Sequence, residues 1–316
     1  MEAVITEQGM GLHDKTKGVI AIIIMAIMCG FNGAIIRFMA EKGLNVYSLN
    51  FVELVFGLPL AFIIAWRLGE RITLPTKKES LYLITIGICL FLLTITFFFA
   101  FNLTTIANVE FLHYTSPILT LFGAGIFLKE GIDKWKILAL FFCIIGLIMI
   151  LKPGLRITDS MILGDFLALL SAFPAAATTL IGRKLRYRSA YFLTFWRVFY
   201  AALIYLPFFI FYNTISNMEQ LILIFLVSVW YVAIILPLYF YALRHIQAST
   251  TEMLLLMEIL SGIMVGLFLY REIPSISDII GGLFIITGCI TVLRKVEGFK
   301  FSVRKAVQGR PGLRQK

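Results

Sequence analysis

A few polar side chains stand inside otherwise apolar stretches of this chain, and any chemistry must come from them. Glu110, His113 and Pro117 are spaced i, i+3 and i+7, which places them on one face of a helix. A carboxylate and an imidazole on one face can share or relay a proton, because both groups can titrate near neutral pH inside a protein. The spacing therefore predicts that Glu110 and His113 contact a proton or a substrate. The alternative is a structural hydrogen-bonded pair near one end of the helix.

Glu252 and Glu258 form a second acidic group in a later apolar stretch. On a continuous helix, their spacing of six residues leaves the two side chains roughly a third of a turn out of phase. We therefore expect that only one of the two carboxylates faces a cavity directly and that the other bonds neighbouring helices. Both are candidates for substrate binding or proton coupling.

Glu53 and Arg197 occupy equivalent positions when Leu49 is aligned with Leu193. An ionisable side chain inside a membrane is costly unless it is paired or wetted. The alignment therefore predicts that Glu53 and Arg197 form a gate pair. The alternative is that both lie near the membrane interface and reach out to water, because each is only about six residues into its apolar stretch.

Four more side chains are predicted to line a substrate cavity: Asn32, Thr178, Trp230 and Tyr239. Asn32 could equally form an interhelical hydrogen bond in a packed, lipid-free interior. Thr178 follows Pro174 in a hydroxyl-bearing stretch, a pattern tolerated where neighbours or cavity water satisfy the freed backbone. Trp230 and Tyr239 could instead face lipid or pack, as aromatic side chains at membrane depth usually do.

The elements that must position these residues are membrane-spanning helices. Of the 316 residues, 60% are apolar and only 15% are charged, which lies outside the range of globular domains. Uninterrupted apolar runs of about twenty residues are helices, because barrel strands would be about half as long and would alternate. The sequence thus predicts an all-α polytopic membrane protein. Its ten predicted spans, numbered 1 to 10 in chain order, are residues 18–38, 46–66, 80–100, 107–128, 135–152, 163–182, 190–211, 220–242, 249–270 and 276–294.

The net charge of +10 is distributed unequally between the two sides of the predicted membrane. With a cytoplasmic N-terminus, 22 Lys and Arg residues lie in inner segments and 5 in outer loops. By the positive-inside rule, both the N-terminal segment 1–17 and the basic tail 295–316 are cytoplasmic. The tail is expected to rest on anionic lipid, and the distribution argues against nucleic acid as a partner. The predicted location is the cytoplasmic membrane, crossed many times.

Residues 107–151 return 142 positions later as residues 249–293. Nine of the 45 aligned positions are identical, which alone is too few in so apolar a sequence. The recurring positions include Glu110 with Glu252, Glu130 with Glu272 and Gly146 with Gly288. This register predicts an internal duplication into two five-span repeats, residues 18–152 and 163–294. An odd number of spans gives the second repeat the opposite orientation, an arrangement that many secondary transporters use.

These features resemble the drug/metabolite transporter superfamily, and within it the tandem EamA-domain exporters. The resemblance covers about residues 18 to 294 and rests on the five-span repeat and on Leu128-Lys129-Glu130 with Trp135 and Gly146, Ala242-Leu243 leading through Ala248 to Glu258, and Tyr270-Arg271-Glu272 with Gly282 and Gly288. It implies a ten-helix carrier for amino acids or other small metabolites, with a central cavity formed by spans 1, 3, 4, 6, 8 and 9. The chain departs from the family where a Glu-Pro pair is usual late in span 9. Glu258-Ile259 stands there instead, so a proline kink is not expected.

The sequence therefore predicts a secondary transporter, not an enzyme, that moves a small metabolite by alternating access, with export as the expected direction. No cofactor and no metal are expected, because the sequence has no nucleotide-binding glycine loop and its four cysteines have no paired spacing. The bilayer and a small-molecule substrate are the expected partners. Proton coupling is compatible with the polar residues, and a homodimer with the glycine-containing spans 5 and 10. Two alternatives stay open: a flippase for a lipid or lipid-linked precursor and, with less support, an intramembrane lipid-modifying enzyme.

Overall fold

The computed structural model describes residues 12–152, 159–271 and 273–294, and within these ranges all regular secondary structure is helical. The N-terminal segment up to residue 11, the basic tail 295–316 and Glu272, the repeat partner of Glu130, lie outside the described residues.

Each predicted span corresponds to one, two or three helical segments. For spans 1 to 10 in order, these segments are Leu12–Cys29 with Asn32–Glu41; Val46–Arg67; Lys77–Leu103; Ile106–His113 with Ser116–Phe127; Lys134–Leu151; Asp159–Lys184; Ala190–Tyr212; Met218–Ser228, the π-helical Val229–Ile235 and Leu236–His245; Ala248–Leu255 with Met257–Tyr270; and Ile276–Leu293. In the described ranges, nine spans are long and apolar enough to cross a membrane. Span 4 differs because a break at Tyr114 and Thr115 divides it into pieces of 8 and 12 residues. The predicted all-α polytopic membrane fold is confirmed.

Short polar motifs fix the beginnings of two spans. Thr76 and Glu79 form a capping box before span 3, and Ser275 and Asp278 form one before span 10. In each box the hydroxyl accepts a hydrogen bond from a backbone N–H of the first turn, and the carboxylate accepts one from the N–H of the capping residue. These bonds satisfy backbone donors that the helix itself leaves free.

Four spans are interrupted along their length. Span 4 restarts at Ser116 with Pro117 in its first turn, where proline is tolerated but disfavours helix just before it. Span 9 is interrupted at Leu256, whose ψ of −14° departs from the helical value of about −42°. Span 8 contains its π-helical segment, and span 1 breaks between Cys29 and Asn32. Such backbone is tolerated at membrane depth only where it is buried in protein or lines a cavity.

The most extensive contacts between spans follow a two-fold pattern. Equivalent spans of the two repeats meet, since span 5 packs on span 10, span 2 on span 7 and span 4 on span 9. Most other large contacts come in pairs: span 3 packs on span 6 as span 8 packs on span 1, span 4 on span 6 as span 9 on span 1, and span 3 on span 7 as span 8 on span 2. The contact of span 8 with span 7 is an exception, because spans 3 and 2 make no comparably large contact among the described residues. Apart from that exception, exchanging each span with the one five positions away converts every contact named here into another one of the set. This is the pattern expected of two repeats related by a two-fold axis.

Glycines bring spans 5 and 10 into backbone contact. A Cβ atom added at Gly146 would lie 2.5 Å from the carbonyl oxygen of Gly281, and one added at Gly281 would lie 2.7 Å from that of Gly146. A Cβ on Gly288 would lie 2.6 Å from the Sγ of Cys143. These glycine surfaces are therefore used within the chain, and the homodimer through spans 5 and 10 stays a prediction.

Large apolar side chains cover the outside of the bundle. Trp66, Phe127, Phe211 and Phe268 are each at least 69% exposed. A soluble protein would associate through such a surface, whereas a lipid-facing exterior requires it. The charged and polar side chains of the spans lie instead among the helices, where a site can form.

Candidate functional site

A cavity of about 210 Å³ lies between the helices of both repeats. Its wall includes residues of spans 1, 3, 4, 6, 8 and 9, the set implied by the family resemblance, and also Arg197 of span 7. Its polar wall consists of Cys29, Asn32, His113, Tyr114, Ser116, Thr178, Arg197, Tyr231, Tyr239, Glu252 and Glu258. The interruptions in spans 1, 4, 8 and 9 all lie beside this cavity.

Seven of the ten predicted site residues are in this wall: Asn32, His113, Thr178, Arg197, Tyr239, Glu252 and Glu258. The other three, Glu53, Glu110 and Trp230, are absent from the wall as the described residues form it. The roles assigned to all ten stay predictions, but their positions can be reported.

Glu252 and Glu258 both face the cavity, so the expectation drawn from their spacing is wrong. That expectation assumed one continuous helix, whereas span 9 consists of Ala248–Leu255 and Met257–Tyr270. The break at Leu256 changes the phase of the second helix and brings Glu258 to the side of Glu252. Spacing could not reveal this break, because no proline stands at it.

Hydroxyl groups from three other spans hold Glu252 in place. Its Oε1 accepts hydrogen bonds from Thr179 and from Tyr239, the latter at 3.3 Å, and its Oε2 accepts one from Ser116 at 3.4 Å. Glu252 is only 5% exposed. Because buried polar groups need such donors, Glu252 ties span 9 to spans 4, 6 and 8 as well as forming part of the wall.

Glu258 is half-buried and joins spans 1, 4 and 9. Its Oε1 accepts a hydrogen bond of 2.7 Å from the hydroxyl of Tyr114. Cys29 and Asn32 of span 1 line the same cavity as Glu258. Glu258 is therefore the more accessible of the two cavity carboxylates.

Glu110 and His113 do not pair directly. The Nδ1 of His113 shares a 2.9 Å hydrogen bond with the hydroxyl of Ser171, and the His113 ring packs edge-on against Phe97. The first helix of span 4 ends at His113, so the predicted stripe does not continue through Pro117 on the same helix. Glu110 stands outside the cavity wall but acts electrostatically on Tyr114 and Glu258. The structure thus separates the two candidates: His113 faces the cavity, and Glu110 stands behind it.

Glu53 and Arg197 are 7% and 6% exposed, so neither side chain reaches out to water. Among the described residues, no carboxylate lies within 4.0 Å of the Arg197 guanidinium nitrogens. The predicted contact between Glu53 and Arg197 is therefore not made, because Arg197 faces the cavity and Glu53 does not. The guanidinium of Arg197 lies 5.8 Å from the centre of the Phe240 ring, and its buried Nε has no hydrogen-bond partner.

Tyr231 takes the place in the wall that the sequence assigns to Trp230. The two residues lie in the π-helical segment, where i to i+5 hydrogen bonding rotates side chains relative to an α-helix. The Trp230 ring packs edge-on against Phe31 at 6.0 Å. Trp230 and Tyr231 are adjacent in the chain, and of the two only Tyr231 is part of the cavity wall as described.

Sequence reasoning overlooked Tyr114 and treated Cys29 only as a small apolar residue. Both line the cavity, and Tyr114 also donates a hydrogen bond to Glu258. A signal for Tyr114 was present, since it belongs to a polar run that directly precedes Pro117 in an otherwise apolar span. Such a run predicts a helix break with polar side chains around it.

Two ionic clusters join the repeats at one end of the bundle, which we call the basic end and define by Glu79, Glu130, Arg183 and Arg188. The Nε of Arg183 donates to Glu130 at 2.9 Å, with side-chain exposures of 3% and 7%. Glu130 also accepts a 3.1 Å hydrogen bond from the backbone N–H of Ala248, at the start of span 9. Arg188 donates to both Glu79 oxygens, at 2.6 and 2.9 Å, and these hydrogen bonds raise the pKa of Arg188 further above its ordinary value.

The opposite end of the bundle is held by more exposed ion pairs. Lys42 pairs with Glu219 at 2.6 Å, with side-chain exposures of 39% and 63%. Lys152 pairs with Asp278 at 3.6 Å, with exposures of 55% and 21%. Exposed pairs contribute little, whereas breaking a buried pair is strongly destabilising. The buried Glu130–Arg183 pair of the basic end is therefore the one whose loss should cost the most stability.

Two segments of the chain, residues 16–152 and 162–294, match the EamA-like transporter family. The chain belongs to this family. It is thus a multi-pass membrane transporter of the drug/metabolite transporter superfamily, and proteins of this family are not enzymes.

Relatives of the transporter agree with this assignment. An uncharacterized transporter of Archaeoglobus fulgidus is 22% identical over 279 residues, covering 88% of this chain and 97% of that protein. An uncharacterized transporter of Bacillus subtilis is 23% identical over 299 residues, covering 92% of this chain and 95% of that protein. Solute carrier family 35 member G1 of Mus musculus is 30% identical over 164 residues, which cover 49% of this chain and 41% of that protein. One crystal structure matches the fold with a TM-score of 0.75 over 89% of this chain and 98% of that chain, at 12% identity.

Proposed function

We propose that the transporter is a secondary carrier that moves a small polar metabolite, an amino acid or a related compound, across the cytoplasmic membrane by alternating access, with export as the expected direction. The observation that carries the proposal is the cavity, where one arginine, two carboxylates and several hydroxyls meet between the two repeats. Sites for drug-sized ligands have volumes of about 300–1,000 Å³. A cavity of about 210 Å³ therefore favours a compact solute over a lipid-linked precursor.

Alternating access would follow from motion of one repeat against the other. The buried Glu130–Arg183 pair joins the repeats at the basic end, and the positive-inside rule places that end in the cytoplasm. In this reading the pair is the closed cytoplasmic gate, and it must open when the cavity faces inward.

Proton coupling would rest on Glu110 and Glu258. Glu258 faces the cavity, and Glu110 stands close enough to influence it electrostatically. Two neighbouring carboxylates do not readily both carry a charge in a low-dielectric interior, so binding or release of a proton at one would alter the other.

The first test is the thermal stability of the full-length protein in detergent with amino acids, nucleosides, sugar phosphates, S-adenosylmethionine and lipid-linked precursors. A ligand at a hundred times its dissociation constant stabilises by about 2.7 kcal/mol, which a melting curve resolves. We expect a soluble metabolite to stabilise the protein and its labelled form to show counterflow in proteoliposomes. Stabilisation by lipid-linked precursors alone, without counterflow of any soluble solute, would instead indicate the flippase.

A matched pair of variants connects transport to the cavity. Ala175 lines the cavity, whereas Ile126 is 72% exposed on the outer surface. Ala175→Trp is expected to abolish counterflow because the indole fills the cavity. Ile126→Trp should leave counterflow unchanged, and equal activity of the two variants would contradict the proposal that solute passes through this cavity.

A further inference from the structure

Arg197 differs from the carboxylates of the cavity because it has no polar partner among the described residues. Its side chain is 6% exposed, its Nε has no hydrogen-bond partner, and no carboxylate lies within 4.0 Å of its guanidinium nitrogens. Glu252 and Glu258, by contrast, each accept hydrogen bonds from hydroxyl groups of neighbouring spans. The two cavity carboxylates thus accept hydrogen bonds from the protein, whereas the guanidinium of Arg197 donates none to the described residues.

An unpaired guanidinium at this depth is costly. Arginine stays protonated inside proteins and carries five N–H donors. Arg197 is the eighth residue of the helix of span 7, so it lies about 10 Å from the start of that helix. The face of Phe240, 5.8 Å away, offers a cation–π contact that offsets part of the desolvation cost. A negatively charged group close to the guanidinium would offset the rest of the desolvation cost.

Glu53 supplies only part of that charge. It is buried in span 2 and interacts with Arg197 electrostatically, but it forms no ion pair with Arg197 and is absent from the cavity wall as described. The donors of Arg197 are therefore available to a molecule that occupies the cavity.

We propose that Arg197 binds the carboxylate of the transported solute. A carboxylate can accept two parallel hydrogen bonds from a guanidinium and supplies the missing counter-charge. A phosphate ester carries about 1.5 to 2 negative charges at pH 7, more than the single positive charge of one arginine, whereas a carboxylate matches that charge. The solute is thus a compact molecule with a carboxylate. This inference rests on the carrier function proposed above and names the chemistry of its substrate.

The test compares acids with their own amides. Thermal stabilisation of the full-length protein is measured with lactate and lactamide, N-acetylglycine and its amide, phenylalanine and phenylalaninamide, and with glycerol 3-phosphate. The wild type should bind at least one acid at least tenfold more tightly than the matching amide. Arg197→Gln should abolish this preference, and Arg197→Lys should retain part of it, because lysine keeps the charge but lacks the planar fork.

Arg67→Gln is the matched control. Arg67 lies exposed at the end of span 2, so this variant loses the same charge without touching the cavity, and its acid preference should equal that of the wild type. An acid preference that survives Arg197→Gln overturns the proposal. So does equal binding of acids and amides by the wild type, tighter binding of glycerol 3-phosphate than of every acid, or binding of no acid. If Arg197→Gln does not fold, the preference for acids over their amides is compared between the wild type and Arg197→Lys, and an unchanged preference in Arg197→Lys overturns the proposal.

Counterflow in proteoliposomes separates this inference from the carrier function. Exchange of a neutral solute without any acid preference would support the carrier function and contradict the role proposed for Arg197. Acid binding that depends on Arg197, without counterflow of any solute, would support the binding site and contradict the carrier function.

Discussion

Glu110 shows how a side chain can matter for transport without touching the solute. It stands behind the cavity wall and acts on Tyr114 and Glu258, so it can respond to the charge of a group that does face the cavity. We expect Glu110→Gln to abolish uptake driven by a pH gradient and to leave counterflow intact, because a glutamine cannot exchange a proton. Uptake of the labelled solute into proteoliposomes, with and without an imposed gradient, measures both.

Glu219→Gln serves as the control for this variant, since Glu219 is an exposed carboxylate at the opposite end of the bundle. It should retain gradient-driven uptake. If Glu110→Gln also retains it, Glu110 has no part in coupling, and Glu258 becomes the next carboxylate to replace.

Cys29 is a native reporter of occupancy. It lines the cavity and is close to Glu258, whereas Cys143 packs against Gly288 between spans 5 and 10. In chains that retain only one of the two cysteines, bound solute should slow the reaction of Cys29 with a small thiol reagent and leave Cys143 unaffected. Mass spectrometry of the modified chain measures the rates, and equal protection of both cysteines would mean that solute acts through global stability instead of occupancy.

At this scale, residue type was easier to predict than contact. A charged residue inside an apolar span is a strong signal of a functional site, and it correctly indicated that Arg197, Glu252 and Glu258 lie at the cavity. The sequence could not place Glu258 beside Glu252, because that depends on a break at Leu256 that no proline announces. The sequence also could not predict that Arg197 and Glu53 form no ion pair, because the direction of each side chain depends on how spans 2 and 7 pack.

Among the helices, the close contact of spans 5 and 10 can be tested by a single substitution. Gly146→Ala would place a methyl group 2.5 Å from the Gly281 carbonyl oxygen, so the helices must separate. Overpacking of this kind costs about 1–3 kcal/mol. A lower melting temperature in detergent is expected. Gly33→Ala is the control, because a Cβ at Gly33 would meet nothing within 4 Å and alanine favours helix, and a similar loss in both variants would contradict the packing argument.

The closed basic end depends on Glu130, which bonds both Arg183 and the first N–H of span 9. Glu130→Gln breaks the buried ion pair with Arg183, and breaking a buried pair costs about 3–5 kcal/mol. We therefore expect a clearly lower melting temperature and a cavity that opens more readily to reagents from the basic end. Glu219→Gln removes one partner of an exposed pair and should cost at most about 1 kcal/mol. Equal shifts for both variants would show that the Glu130 pair does not hold the end closed.

Helix positions were predictable because a long apolar run can satisfy its backbone hydrogen bonds inside a bilayer only as a helix. The interruptions were only partly predictable: Pro117 marks the break in span 4 and Pro237 follows the π-helical segment of span 8, but no proline marks the break in span 9. Where no proline marks an interruption, spacing could not predict which side chains reach the cavity, as Glu258 shows.

For the whole molecule, the two-fold contact pattern and the charge distribution lead to one topology. Five spans per repeat require that equivalent loops lie on opposite sides of the membrane. Lys42, after span 1, lies at the end that carries Glu219, whereas Arg186, after span 6, lies at the basic end. The positive-inside rule predicts that the basic end faces the cytoplasm.

Single cysteines in a chain freed of its four native ones test this topology. Lys42→Cys should react with a membrane-impermeant maleimide in intact cells, because it follows an odd number of spans from a cytoplasmic N-terminus. Arg186→Cys should react only after permeabilisation, because it follows an even number. Parallel repeats would expose both cysteines on the same side, and an extracellular N-terminus would exchange the two results. Each outcome therefore identifies a different arrangement of the ten spans, and only the first supports an inverted repeat with the Glu130–Arg183 pair on the cytoplasmic side.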